Sequence, residues 1–248
     1  GIFVIFGISL NTVITFLGAI TAVILLVFRD TILGFVTGIH VSTSKNLKIG
    51  DWIGIPKYNI EGNIQDINLL TTKIVNFDKT ISTIPTYDLL STEIRNHQVM
   101  YEGSSRRIKR SIYFNIKSFK FVDDEFYEKV KDINLISEYL DRKLREIAES
   151  KKNIPHAERI INGQQLTNIG LFRNYVLNYL KNNPKVDQDE IVLVRQLEIS
   201  PQGMPLEIYC FANKAELVDY ERIQADIFDH ILTAAQEFDL EIMQVAKA

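Results

Sequence analysis

From Gly1 to Phe28 the chain carries no charged side chain. A helix needs roughly 20 apolar residues to cross the hydrocarbon of a bilayer, so this run is read as membrane-spanning. A secretory signal fits less well, because the sequence opens apolar, with no basic leader and no methionine. The absent initiator methionine suggests the C-terminal part of a longer protein. A buried core helix is the remaining reading. Ser9-Leu10-Asn11-Thr12 is the expected break, with Asn11 or Thr12 capping a new helix. Residues 1–9 then end one membrane helix and 13–41 form a second, within a membrane region of 1–44. At 1.5 Å per residue the second helix would extend about 43 Å, longer than the hydrocarbon, so a kink is expected. Arg29 and Asp30, followed by Gly34, are the expected kink or hinge.

Small residues recur at helical spacing, Gly18 with Ala22 and Gly34 with Gly38. Such pairs let helix backbones approach closely in lipid, so Gly18, Gly34 and Gly38 are expected packing positions against copies of the same helix. If copies surround an axis, Ala19, Ala22 and Leu26 share the stripe that lines it, and a ring of leucines can close a pore by dewetting. Charge then changes along the chain: residues 45–118 hold 11 Lys/Arg against 7 Asp/Glu, and 119–248 hold 16 against 23. Lys45 and Lys48, just past the helix, favour a cytoplasmic exit. The overall balance of −3 is too acidic for a dedicated nucleic-acid binder.

Residues 45–110 read as a small β-domain. Leu47–Ile55, Ile60–Ile67, Thr71–Val75 and Thr80–Pro85 alternate or are β-rich, with turns at Pro56–Asn59 and Asn76–Lys79. Strands at this spacing suggest a small barrel.

The segments K-I-G-D-W-I at 48–53, E-G-N-I-Q-D-I at 61–67 and T-T-K-I-V-N-F-D-K-T-I-S-T-I-P at 71–85 resemble the β-domain of the small-conductance mechanosensitive channel (MscS) family. The preceding glycine-bearing helix is similar to that family's pore-lining helix. Pro56-Lys57-Tyr58-Asn59, S-T-I-P-T-Y at 82–87 and R-R-I-K-R at 106–110 resemble the miniconductance, YbdG-like branch. The resemblance makes Gly50, Asp51, Trp52, Gly62, Thr72, Asp78 and Pro85 the β-domain signature. It implies that Leu26 fills one of the family's two pore-leucine positions, with Ala22 at the other. Asp30 stands where many members have a hinge glycine, which moves the hinge towards Gly34 or stiffens it. Thr86 stands where much of the family has Asn. The resemblance also implies a homo-heptameric ring in a bacterial inner membrane, its C-terminal domain cytoplasmic, passing ions.

Arg106, Arg107, Lys109 and Arg110 form the one dense basic cluster. Nucleic acid, anionic lipid, a localisation receptor or plain solvent around a linker all suit such a cluster, nucleic acid least. Under the resemblance it lies at the start of the cytoplasmic vestibule and biases ion concentrations there.

Residues 111–248 read as an α+β ferredoxin-like domain with extra residues at about 148–188. Ser111–Ile116 is a strand, 123–150 a helix and Asn168–Lys181 another. Ile191–Ile199 and Leu206–Phe211 form a hairpin, 219–237 an amphipathic helix and Leu240–Val245 a last strand. His40, His97, His156 and His230 lack partners at metal-ligand spacing, no phosphate-cradling glycine loop appears, and Cys210 is alone. No enzyme activity and no cofactor are expected.

The whole pattern is read as a channel opened by membrane tension, releasing ions and small osmolytes in hypoosmotic stress. Its partners are the bilayer, other copies of itself and permeating ions. The alternative is a membrane-anchored oligomeric scaffold or sensor without conductance.

Overall fold

The computed structural model describes residues 9–43 and 46–244, and it divides into two compact units, 1–99 and 100–248. In the first unit, helix α1 spans Leu10–Thr43. Its cap is Ser9, whose Oγ accepts from the Thr12 amide at 3.2 Å. Asn11 and Thr12, the expected caps, sit instead inside the first turn. The rest of the expected upstream helix, and Lys45, lie outside the described residues. Past Arg29 and Asp30 the chain stays α-helical. Neither residue removes a backbone donor as proline would, so the charged pair marks no break in the helical hydrogen bonding.

Strands β1 (Trp52–Ile55), β2 (Ile60–Ile67), β3 (Thr71–Asn76), β4 (Ile81–Pro85) and β5 (Arg95–Asn96) form an antiparallel sheet in the order β4-β3-β2-β1-β5. Alternation sends one face inward, and Ile53, Ile55, Ile64, Ile74, Ile84 and Leu89 make its core. Between β1 and β2, Pro56-Lys57-Tyr58 forms a single 3-10 turn that Asn59 ends in the left-handed region at φ 51°. Short helices α2 (Asp88–Ser91) and α3 (Gln98–Glu102) follow.

In the second unit, β6 (Arg106–Phe114), β7 (Leu193–Gln196) and β8 (Met204–Ala212) form an antiparallel sheet in the order β6-β8-β7. The strand expected at Ser111 thus begins five residues earlier, and the basic cluster belongs to the sheet rather than to a linker. Among the described residues the expected last strand is reduced to one bridge, Phe114 with Ile242, flanked by the Asn115 amide on the Glu241 carbonyl and the Met243 amide on the Tyr113 carbonyl, both 2.8 Å, while Val245 lies outside them. That bridge occupies the fourth position beside β6, which completes the ferredoxin-like order. β7 is shorter than expected because the chain leaves the ladder for the Ser200–Gly203 turn.

The expected helix over 123–150 is two: α4 (Asp124–Val130) and α5 (Asn134–Lys151). Ile133 takes an extended backbone between them and packs against the core. Helix α6 (Asn168–Lys181) buries Ile169, Leu171, Phe172, Val176 and Leu180. Its Phe172 ring lies 5.6 Å from that of Phe114 and 5.3 Å from that of Phe238. So α6, inside the expected insertion of about 148–188, contributes to the domain core, as α4 does with Phe126 and Val130 and α5 with Ile136 and Leu140. Asn168, fully buried, fixes the start of α6: its Oδ1 accepts from the Lys120 amide, and its Nδ2 donates to the Ser118 and Phe238 carbonyls. Helix α7 (Leu217–Ala234) covers the sheet with Ile223, Ile227 and Ile231.

Cys210 on β8 is fully buried, and desolvation pushes its thiol up to about 12. Because the thiolate is the reactive form, the folded protein at pH 8 is expected to resist maleimide and react only after denaturation. Rapid labelling of the native chain would contradict the packing.

Candidate functional site: the exposed helix and its seat

Helix α1 leaves most of its apolar side chains uncovered by the rest of the chain. Leu10–His40 is long and apolar enough to cross a membrane, and its most apolar 18-residue window is left unburied by the chain. Leu26 is 74% exposed, and Phe16, Val23 and Val27 are at least 60% exposed. A helix apolar all round is stable only inside a protein core or in lipid, and an apolar patch of this size in water marks an unmet interface. From Leu10 to Phe28 the rise is about 27 Å, close to one hydrocarbon thickness. Arg29 and Asp30 therefore fall where a spanning segment would end. Both are exposed and form no ion pair among the described residues.

Ala19, Ala22 and Leu26 are all exposed on α1. Steps of three and four keep residues on one helix face, and the same stripe continues upward to Thr15 and downward through Arg29 and Leu33 to Thr37. Of the three packing glycines, Gly18 and Gly38 face open space, and a Cβ added to either meets nothing within 4 Å. Gly34 differs. A Cβ there would lie 2.0 Å from the Leu69 carbonyl oxygen, so only glycine lets α1 rest on the β2–β3 turn. Thr37, one turn on, is buried as well.

That turn is braced from behind. The Asn68 amide donates to the Thr71 carbonyl at 2.9 Å, and the Thr86 amide to the Leu70 carbonyl at 3.0 Å. The Thr86 hydroxyl donates to the Asn68 carbonyl at 2.6 Å and lies 3.0 Å from the buried Thr72 hydroxyl. Thr72 was legible as a signature residue. Thr37, Leu69 and the bracing role of Thr86 were not, because a turn's contact with a helix some thirty residues away leaves no local pattern.

The other signature residues hold the β-domain together. Gly50 has φ +96° and donates its amide to the Ile64 carbonyl at 2.8 Å. Asp51 accepts from the Lys48 amide and from Asn96 Nδ2. The Trp52 indole donates to Glu61 at 3.2 Å, and its ring packs edge-on to Phe77 and against His97. At Gly62 a Cβ would meet the Val75 carbonyl oxygen at 2.1 Å. Asp78 accepts from the Thr80 hydroxyl and amide, which hold its carboxyl below the usual carboxylate range. Pro85 ends β4 opposite Thr71. Each of these is a structural role.

In the second unit the basic cluster is occupied by neighbours. Arg106 lies over the Tyr220 ring at 4.5 Å, Arg107 over Tyr209 at 5.8 Å and Arg110 over Phe228 at 5.6 Å, while Lys109 pairs with Glu207 at 3.9 Å. Arg107, Lys109 and Arg110 nonetheless remain exposed. Among the described residues no group of His, Cys, Asp and Glu could hold a metal ion.

An exposed apolar helix of membrane-spanning length, seated by a glycine on a small β-domain and followed in the chain by a ferredoxin-like unit, defines a membrane-associated class of protein. The mechanosensitive ion channel β-domain matches residues 30–99, and the MscS C-terminal domain matches residues 163–242, together more than half the chain. This chain belongs to the MscS family of mechanosensitive channels. The low conductance mechanosensitive channel YnaI of Escherichia coli is 24% identical over 231 residues, which is 93% of this chain and 53% of that protein. The small-conductance mechanosensitive channel MscMJ of Methanocaldococcus jannaschii is 31% identical over 90 residues, 36% of this chain and 25% of that one. The chain thus spans about half or less of these relatives' length. Among solved structures, MSL1 of Arabidopsis thaliana superimposes with a TM-score of 0.63 at 15% identity, over 96% of this chain and 68% of that one. The closed state of Helicobacter pylori MscS gives 0.56 at 16% identity, over 98% and 74%. At such identities the likeness is one of fold.

Proposed function

We propose that the chain forms the pore and cytoplasmic portion of a tension-gated channel, assembled as a ring of seven copies in a bacterial inner membrane. The observation that carries this reading is α1, an apolar helix of membrane-spanning length left uncovered by its own chain and seated through Gly34 on the β-domain. In the ring, Gly18 lets neighbouring helices approach, and the stripe of Ala19, Ala22 and Leu26 faces the axis. Leu26 excludes water in the closed state. Tension favours whichever state occupies more membrane area, so opening is a population shift towards tilted or splayed helices. The seat of Gly34 on the β2–β3 turn transmits that tilt to the β-domain and serves as the hinge. Ions and small osmolytes pass the axis and leave through the cytoplasmic vestibule, where Arg107, Lys109 and Arg110 bias local ion concentrations.

The test in cells is survival. Expressed with the additional length its relatives carry, the protein is expected to rescue channel-deficient bacteria from an abrupt drop in osmolarity. A ring that assembles in the membrane yet gives no rescue would favour a non-conducting scaffold.

A further inference from the structure

The second unit contains a cleft of about 650 Å³ that the channel reading does not use. Its walls come from α5, the segment leading into α6, the first turns of α6, and β7. Three cations line it, Lys143, Arg173 and Arg195, and no carboxylate among the described residues does. Lys143 is steadied by Glu146, and Arg195 is clamped by buried Glu207 through Nε at 2.8 Å and a terminal nitrogen at 2.7 Å. Both acids lie outside the lining, so they orient their partners without occupying the cleft. Arg173 is half-buried and makes no hydrogen bond or ion pair among the described residues. Its donors are therefore open to a ligand in the cleft, and its planar fork matches an oxyanion.

The rest of the wall is not that of a bare anion site. Tyr139, Ile147 and Leu193 supply apolar surface, and Gln165 and Gln196 supply hydrogen-bonding edges. The volume lies in the range of clefts that hold organic ligands, roughly 300–1,000 Å³. The start of α6, capped by the Thr167 hydroxyl on the Gly170 amide, opens on the same space and adds the favourable end of a 14-residue helix dipole.

We propose that this cleft binds a phosphorylated organic metabolite of nucleoside-monophosphate size, with Arg173 as the principal phosphate ligand and Lys143 and Arg195 completing the charge. The inference goes beyond the channel reading and stands whether or not the ring conducts. It gives α5 and the segment before α6 a purpose besides packing.

The experiment is calorimetric titration of the purified full chain in detergent with AMP, inorganic phosphate and adenosine in turn. AMP is expected to bind with a Kd below roughly 1 mM at low salt, weakening as salt rises. Phosphate is expected to bind about tenfold more weakly and adenosine not measurably, a tenfold step being about 1.4 kcal/mol. Arg173→Gln should weaken AMP at least about tenfold while leaving the melting temperature in place, and Lys143→Gln should act in the same direction by less. AMP binding that survives Arg173→Gln, or no binding of either anion, overturns the site. Phosphate binding as tightly as AMP overturns its organic specificity.

Discussion

Leu26→Ser is expected to lower the tension at which the channel opens, with the variant chattering open in patches where the parent stays silent. Leu26 is the most exposed large apolar side chain among the described residues, and its burial at a ring axis is worth about 1.5–3 kcal/mol per copy. In the proposed ring of seven copies the closed state therefore loses on the order of 10 kcal/mol of apolar contact, partly offset by packing the variant retains. Serine also hydrates the constriction and removes the dewetting barrier. The measurement is the ratio of the variant's threshold to that of a co-reconstituted reference channel. An unchanged ratio places the constriction elsewhere on α1.

Gly34→Ala is expected to disturb the protein more than its single methyl suggests. The new Cβ would begin 2.0 Å from the Leu69 carbonyl oxygen, backbone that cannot swing aside as a side chain can. Helix and turn must separate, at a cost of about 1–3 kcal/mol, the usual range for overpacking. For a chain of this size that is a fall of several degrees in melting temperature. Gly38→Ala is the control. Its Cβ meets nothing within 4 Å, and alanine favours the helix by up to about 1 kcal/mol over glycine. Gly34→Ala should therefore lower stability and shift the gating threshold, whereas Gly38→Ala should hold or raise stability. Equal behaviour of the two would remove the seat from the coupling between helix and β-domain.

Much of the architecture could be read from residue patterns, and the misses have physical causes. The uncharged run marked α1, because an apolar helix of that length finds a stable environment in little besides lipid. The alternation in 47–85 marked the β-domain, because a sheet with one buried face needs it. Cap choice failed: Ser9, Asn11 and Thr12 are all competent acceptors, and only geometry selects among them. The last strand failed because Leu240–Ile242 has a strand's composition but meets β6 at a single bridge. The helix over 123–150 was overextended because Ile133 fits the apolar period while its backbone is extended.

The functional positions were legible to different degrees. Small residues four apart singled out Gly34 as a helix-packing position, whereas its contact with the β2–β3 turn was not legible. The cleft around Arg173 left no trace in the sequence. Its three cations lie on two helices and a strand, so only the fold brings them together.

An axis opened by tension, as proposed for the ring, has a direct electrical signature. Patch recordings from reconstituted bilayers under stepped suction, on the protein with the additional length its relatives carry, test it most directly. Reproducible unitary currents that appear only above a fixed tension and vanish on release are expected. A folded seven-membered ring that stays silent up to bilayer rupture would contradict it.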